Sequence, residues 1–137
     1  TPETNNIIFQ HLAWAGYLKD WNGPKEGERP SAYIIILNDS SITENMKWDD
    51  GIVAQSIMLG AVEKGYGGCM IGSIKKTPLK EALSIPSHFE IILVLALGKP
   101  VEKVVIDEMK NNDVKYWRDN NQIHHVPKRN LNDLIIN

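Results

Sequence analysis

What the chain has little of narrows its chemistry. Its 137 residues include one cysteine, Cys69, so neither an internal disulfide nor a Cys-based zinc cluster can form, which fits a reducing compartment. The longest apolar run, Ile91 to Leu97, is far too short to span a bilayer, and Thr1-Pro2-Glu3 carries neither the basic nor the apolar part of a leader. A cytoplasmic protein is expected. With 15 Lys+Arg against 17 Asp+Glu the formal charge is −2, so nothing draws the whole chain to nucleic acid or anionic lipid. Side-chain catalysis is just as sparsely provided for, because there is no nucleophile elbow, Walker loop, HExxH or dinucleotide GxGxxG. Gly65-Tyr66-Gly67-Gly68 follows a helical pattern, whereas the dinucleotide fingerprint follows a strand.

What is present is a single-domain pattern of alternating helices and strands over residues 1–137, without internal repeat or linker. Apolar residues at spacings of three and four predict an amphipathic helix from Thr4 to Trp21, followed by the exposed loop GPKEGERPS. Ala32 to Leu37 and Phe89 to Leu97 are continuous apolar runs, as strands covered on both faces require. Between them lies a helix capped by Asp49 or Asp50 and apolar nearly all round, placing it between the sheet and a further layer or subunit. Gly65 is expected at its C-terminus, with Gly67-Gly68 in a left-handed or closely approached backbone and Cys69-Met70-Ile71 as a short strand. Thr77-Pro78 opens a short helix that ends before Pro86. After Pro100 the pattern weakens, although Tyr116, Trp117, Leu131, Leu134 and Ile135 are too apolar for a disordered tail, so the segment is expected to wrap over the domain or a partner.

Each candidate side chain has a plain reading beside its functional one. Cys69, without a base nearby in sequence, reads as a buried structural thiol. His124-His125 lack the spaced partners of a metal site and read as structural or surface groups. Arg29 reads as a solvated loop charge. Lys128-Arg129 form a local basic pair that would suit a terminal phosphate, or would equally be solvated. Chemistry without catalytic side chains suits a bound organic cofactor, for which the glycine-rich stretch from Asp49 to Ser73 would supply exposed backbone.

The run from Asp49-Asp50-Gly51-Ile52-Val53-Ala54-Gln55 to Gly67-Gly68-Cys69-Met70-Ile71-Gly72 resembles the central motif of the FMN-dependent nitroreductase family. Leu83-x-Ile85-Pro86, the strand ending Ala96-Leu97-Gly98-Lys99-Pro100 and the basic Pro127-Lys128-Arg129-x-x-Leu agree with it. The resemblance implies an α+β fold with helices covering a mainly antiparallel sheet, and a homodimer whose C-terminal extensions wrap the partner, with one FMN at each interface. It implies hydride transfer from NADH or NADPH through the flavin to a nitroaromatic, quinone or similar acceptor in a ping-pong cycle. Met70, Ile71, Gly72 and Ser73 would lie along the flavin ring, and Lys128 and Arg129 would hold its phosphate. The Arg/Ser-rich helix start and the Asn-rich, Gln-Pro-containing segment of the family are not found here, so the chain resembles a nitroreductase lacking its first portion. A non-catalytic flavin- or small-molecule-binding module on the same fold is the alternative.

Overall fold

The computed structural model describes residues 1–136. Contacts group the chain into two compact units: Thr1–Trp14 with Gly23–Pro100, and Ala15–Asn22 with the segment from Val101 onward.

In the first unit, helix α1 (Pro2–Gln10) starts at Thr1, whose hydroxyl accepts the Thr4 N–H at 3.2 Å, with Pro2 in the first turn, where a missing donor costs nothing. The helix expected through Trp21 stops at Gln10. Past it, Leu12 forms an antiparallel bridge with Ile74. The Ala13 N–H donates to the Ser73 carbonyl at 3.0 Å, and the Lys75 N–H to the His11 carbonyl at 2.9 Å. Those bonds pair the backbone while Leu12 enters the core, so continuing the helix would forgo both gains.

Three antiparallel strands, β1 (Ala32–Asp39), β2 (Gly67–Ile71) and β3 (Phe89–Gly98), form a sheet in the order β1-β3-β2, which puts the most apolar strand in the centre. On one face Ile71, Ile91, Val94 and Ala96 pack with Ile8, Leu12 and Leu79 of helix α3 (Lys76–Ala82). On the other, Ile36 and Leu95 pack with Ala54 of helix α2 (Asp49–Glu63). Both faces are therefore covered, as the uninterrupted apolar runs demand. The register slips between Ile36, opposite Leu93, and Leu37, opposite Ile91. Ile92 has no opposite number there, a bulge that keeps Ile91 and Val94 on one face despite their odd spacing.

Helix α2 begins after Trp48 without a side-chain cap; Asp49 and Asp50, expected as caps, lie instead in its first turn, where carboxylates oppose the positive helix end. It closes in a Schellman turn, with Gly65 at φ +77 and the Tyr66 N–H bonded to the Ala61 carbonyl at 2.9 Å. Ala54 is fully buried against the sheet, whereas Ile52, Leu59 and Val62 on the opposite stripe are 64%, 61% and 62% exposed. An all-round apolar helix is thus buried on one side only.

The second unit contains what the sequence pattern left unresolved. Strands β4 (Val104–Glu108), β5 (Trp117–Arg118) and β6 (His124–Lys128) pair in the order β4-β6-β5, parallel between β4 and β6 and antiparallel between β5 and β6, and a 3-10 turn follows at Leu131–Asp133. Glu102 holds Arg118 and His124, and His125 bonds Asp107 at 2.8 Å while its ring stacks on Trp117 at 4.1 Å. The two histidines are structural groups. The class is α+β. Among the described residues no helix is long and apolar enough to cross a membrane.

Candidate functional site

The site is built where β2 leaves the sheet. Ile71 is anchored in the core at 7% exposure, opposite Val94 on β3, while Met70 pairs with Leu95, points to the other face and is 41% exposed. Two residues later the chain is fixed again, by the bond from Ala13 to the Ser73 carbonyl and the Leu12–Ile74 bridge. Gly72 is therefore held between two anchored points.

The glycines of this stretch divide by what requires them. A Cβ on Gly68 would lie 2.0 Å from the Ala96 carbonyl oxygen, so strand pairing itself excludes a side chain there. Of the two backbones expected at Gly67-Gly68, the close approach is the one adopted, at Gly68, and the left-handed one is not, since the positive φ in this stretch falls at Gly65. Gly72 differs from both. Its φ lies outside the left-handed region and a Cβ there would meet nothing within 4 Å. Neither turn geometry nor packing demands glycine at 72, and the result is a length of bare, positionally fixed backbone that a flat ligand can approach. Those features fit the edge of a flavin ring.

Cys69, expected as a buried thiol, is exposed, on a strand that lies at one edge of its sheet. Lys128 and Arg129 belong to the second unit, so the two sets of candidate residues are described separately. Lys128 ends β6 opposite Glu108, and its carbonyl accepts the Met109 N–H at 2.8 Å. The Arg129 guanidinium lies 3.5 Å from Asn112 Oδ1. Both side chains are exposed, and neither forms an ion pair among the described residues. Two uncompensated cations next to one another suit a phosphate dianion.

Two further features were not evident from the sequence. The segment from His11 to Ala13, which fixes Ser73–Lys75, was hidden by a helical apolar period that runs on past the real helix end. Arg29 is exposed, as a solvated charge should be, but it also lies 4.1 Å above the Phe9 ring and donates to Asn6 Oδ1 at 3.0 Å. Near it the Tyr33 hydroxyl is sealed from water without a hydrogen-bond partner. Burial pushes that phenol up to about 12, outweighing the opposing pull of Arg29.

Residues 10–99 match the model of the nitroreductase family, and the chain belongs to that family. The matched region runs from the end of α1 through β3 and contains Met70 to Ser73, while Lys128 and Arg129 lie beyond it. The chain is similar to YodC of Bacillus subtilis (strain 168), provisionally named an NAD(P)H nitroreductase, with 24% identity over 109 residues covering 73% of this chain and 48% of that protein. It shares its fold with a nitroreductase family protein from Clostridium novyi NT at a TM-score of 0.55 and 20% identity, covering 73% of this chain and 58% of that one. The chain spans about half the length of the curated relative it matches.

Proposed function

We propose that this chain forms part of an FMN-dependent oxidoreductase that transfers hydride from NAD(P)H to nitroaromatic, quinone or similar acceptors in a ping-pong cycle. The observation that carries the reading is Gly72, a glycine that the fold does not need, held at a fixed place on the edge of the sheet. FMN, when bound, supplies the redox chemistry, which accounts for a chain without a catalytic side-chain constellation. Met70, Ile71, Gly72 and Ser73 line the ring, with Ile71 fixing the strand in the core and Gly72 keeping the backbone clear. Lys128 and Arg129 hold the phosphate, the guanidinium through its fork of donors and the ammonium as a point charge. Membership of the nitroreductase family and the NAD(P)H in the name of YodC support the choice of donor.

A second copy of the chain completes the site in this reading. The exposed stripe of Ile52, Leu59 and Val62 on α2 is an apolar face of the kind that subunits bury, and Leu131, Leu134 and Ile135 offer another in the C-terminal segment. The test is steady-state consumption of NADH and NADPH by FMN-loaded protein with a quinone and a nitroaromatic acceptor. Parallel double-reciprocal lines are expected. Flavin-loaded protein without turnover would make it a non-catalytic binding module.

A further inference from the structure

A cavity of about 470 Å³, with Gly72 outside its lining, lies in the first unit between α1, the loop ahead of β1 and the start of that strand. Phe9, Pro2, Pro30 and Tyr33 give it apolar walls, and two residues of opposite charge, Arg29 and Glu26, also line it. The guanidinium of Arg29 is held from two sides, by the Phe9 face at 4.1 Å and by Asn6 at 3.0 Å. That contact uses one of its five N–H donors and leaves the rest of the fork available. No carboxylate pairs with it among the described residues, although Glu26 and Glu28 lie in the same loop. Glu28 is occupied elsewhere, accepting the Lys25 N–H at 3.3 Å. Glu26 has neither an ion pair nor a side-chain hydrogen bond among the described residues. Tyr33, part of the same wall, has its hydroxyl buried without a partner.

A cavity with one fixed cation, one unpaired carboxylate and aromatic and proline walls matches a small molecule carrying both charges on an apolar body. A lone anion would be repelled by Glu26, and a lone cation by Arg29. We propose that this cavity binds a free α-amino acid with an apolar side chain, its carboxylate on the Arg29 fork, its ammonium on Glu26 and its side chain against Phe9, Pro2 and Pro30. The site does not involve the proposed flavin residues and stands or falls separately from them.

The test is an amide-resolved NMR titration of the protein with L-leucine, with 4-methylpentanoate and isoamylamine as analogues lacking one charge each. Saturable shifts at Asn6, Phe9, Arg29 and Tyr33 are expected, with each analogue weaker by about tenfold or more, the scale of one lost charge-assisted contact. Glu26→Gln, on an exposed loop residue that supports no other contact, should reproduce the loss for leucine but leave 4-methylpentanoate no weaker. Arg29→Gln should weaken leucine and 4-methylpentanoate alike. FMN content should be unchanged in both variants. Absence of saturable shifts at those residues, equal binding of leucine and either analogue, or wild-type leucine affinity in Glu26→Gln would overturn the assignment.

Discussion

Gly68 and Gly72 lie four positions apart in one motif, yet substitution should affect them through different physics. At Gly68 an added Cβ would come within 2.0 Å of the Ala96 carbonyl oxygen and 2.9 Å of Leu97 Cδ2. The first of these is backbone in the central strand, so relief requires β2 to move away from β3 by more than an ångström. Overpacking costs about 1–3 kcal/mol, and an obstacle that cannot rotate aside places Gly68→Ala at the upper end, about 3 kcal/mol. With a urea slope of about 2 kcal/mol/M, the unfolding midpoint should fall by about 1.5 M. At Gly72 nothing lies within 4 Å of the added atom. Gly72→Val should therefore leave stability within about 0.5 kcal/mol of wild type, a midpoint shift of no more than about 0.25 M, while branched methyl groups stand where the flavin ring must approach. The pair is read by urea unfolding without FMN, and by titrating FMN and following the quenching of its fluorescence. A lowered midpoint in Gly72→Val, or full FMN affinity in a normally folded Gly72→Val, would refute the division of these glycines into structural and ligand-facing.

Other substitutions probe other parts of the molecule. Arg129→Ala should weaken FMN by about 1–3 kcal/mol but leave riboflavin, which has no phosphate, unaffected; an equal loss for both ligands would remove Arg129 from the phosphate. Arg118→Ala should leave FMN affinity near wild type, because that guanidinium is committed to Glu102 and the Trp21 face. Leu79→Ala empties a fully buried position between α3 and the sheet and should cost about 2–5 kcal/mol in chemical unfolding, with a smaller loss marking a site that collapses easily. Tyr33 has a folded pKa raised from 10.0 to about 12. Above pH 10 the unfolded phenol ionises while the folded one keeps its proton, so the stability it contributes is complete below 10 and is lost as the pH climbs to about 12. Tyr33→Phe should remove that part of the pH profile, and an unchanged profile would show that the burial of Tyr33 is not responsible.

The sequence was most legible where burial is two-sided. Ala32–Leu37 and Phe89–Leu97 read directly as strands because residues buried on both faces need no alternation, and the structure extends them only to Asp39 and Gly98. The turn after α2 was legible because Gly65 alone can carry φ +77 there. Helix α1 was misjudged in length, since the apolar spacing that continues past Gln10 serves a bridge to Ile74 and a core position for Leu12. The strands after Pro100 were hidden because β4 and β5 leave Val104, Ile106 and Trp117 exposed, and because the β4–β6 pairing joins residues twenty apart in the chain, as Val104 and His124 are. At the candidate site the motif pointed to Met70 through Ser73, but only the coordinates separated a glycine required by strand pairing from one that is not. Arg29 was legible as an exposed loop charge, but its contacts were not, because they depend on Phe9 and Asn6, some twenty positions earlier on a different element.

The proposed chemistry is tested most directly by adding NAD(P)H anaerobically to the FMN-loaded protein and following the visible flavin absorption. The band should bleach, and a nitroaromatic or quinone acceptor should restore it without further donor. A flavin band that persists in the presence of both NADH and NADPH would contradict the assignment of this chain to an NAD(P)H-dependent flavin oxidoreductase.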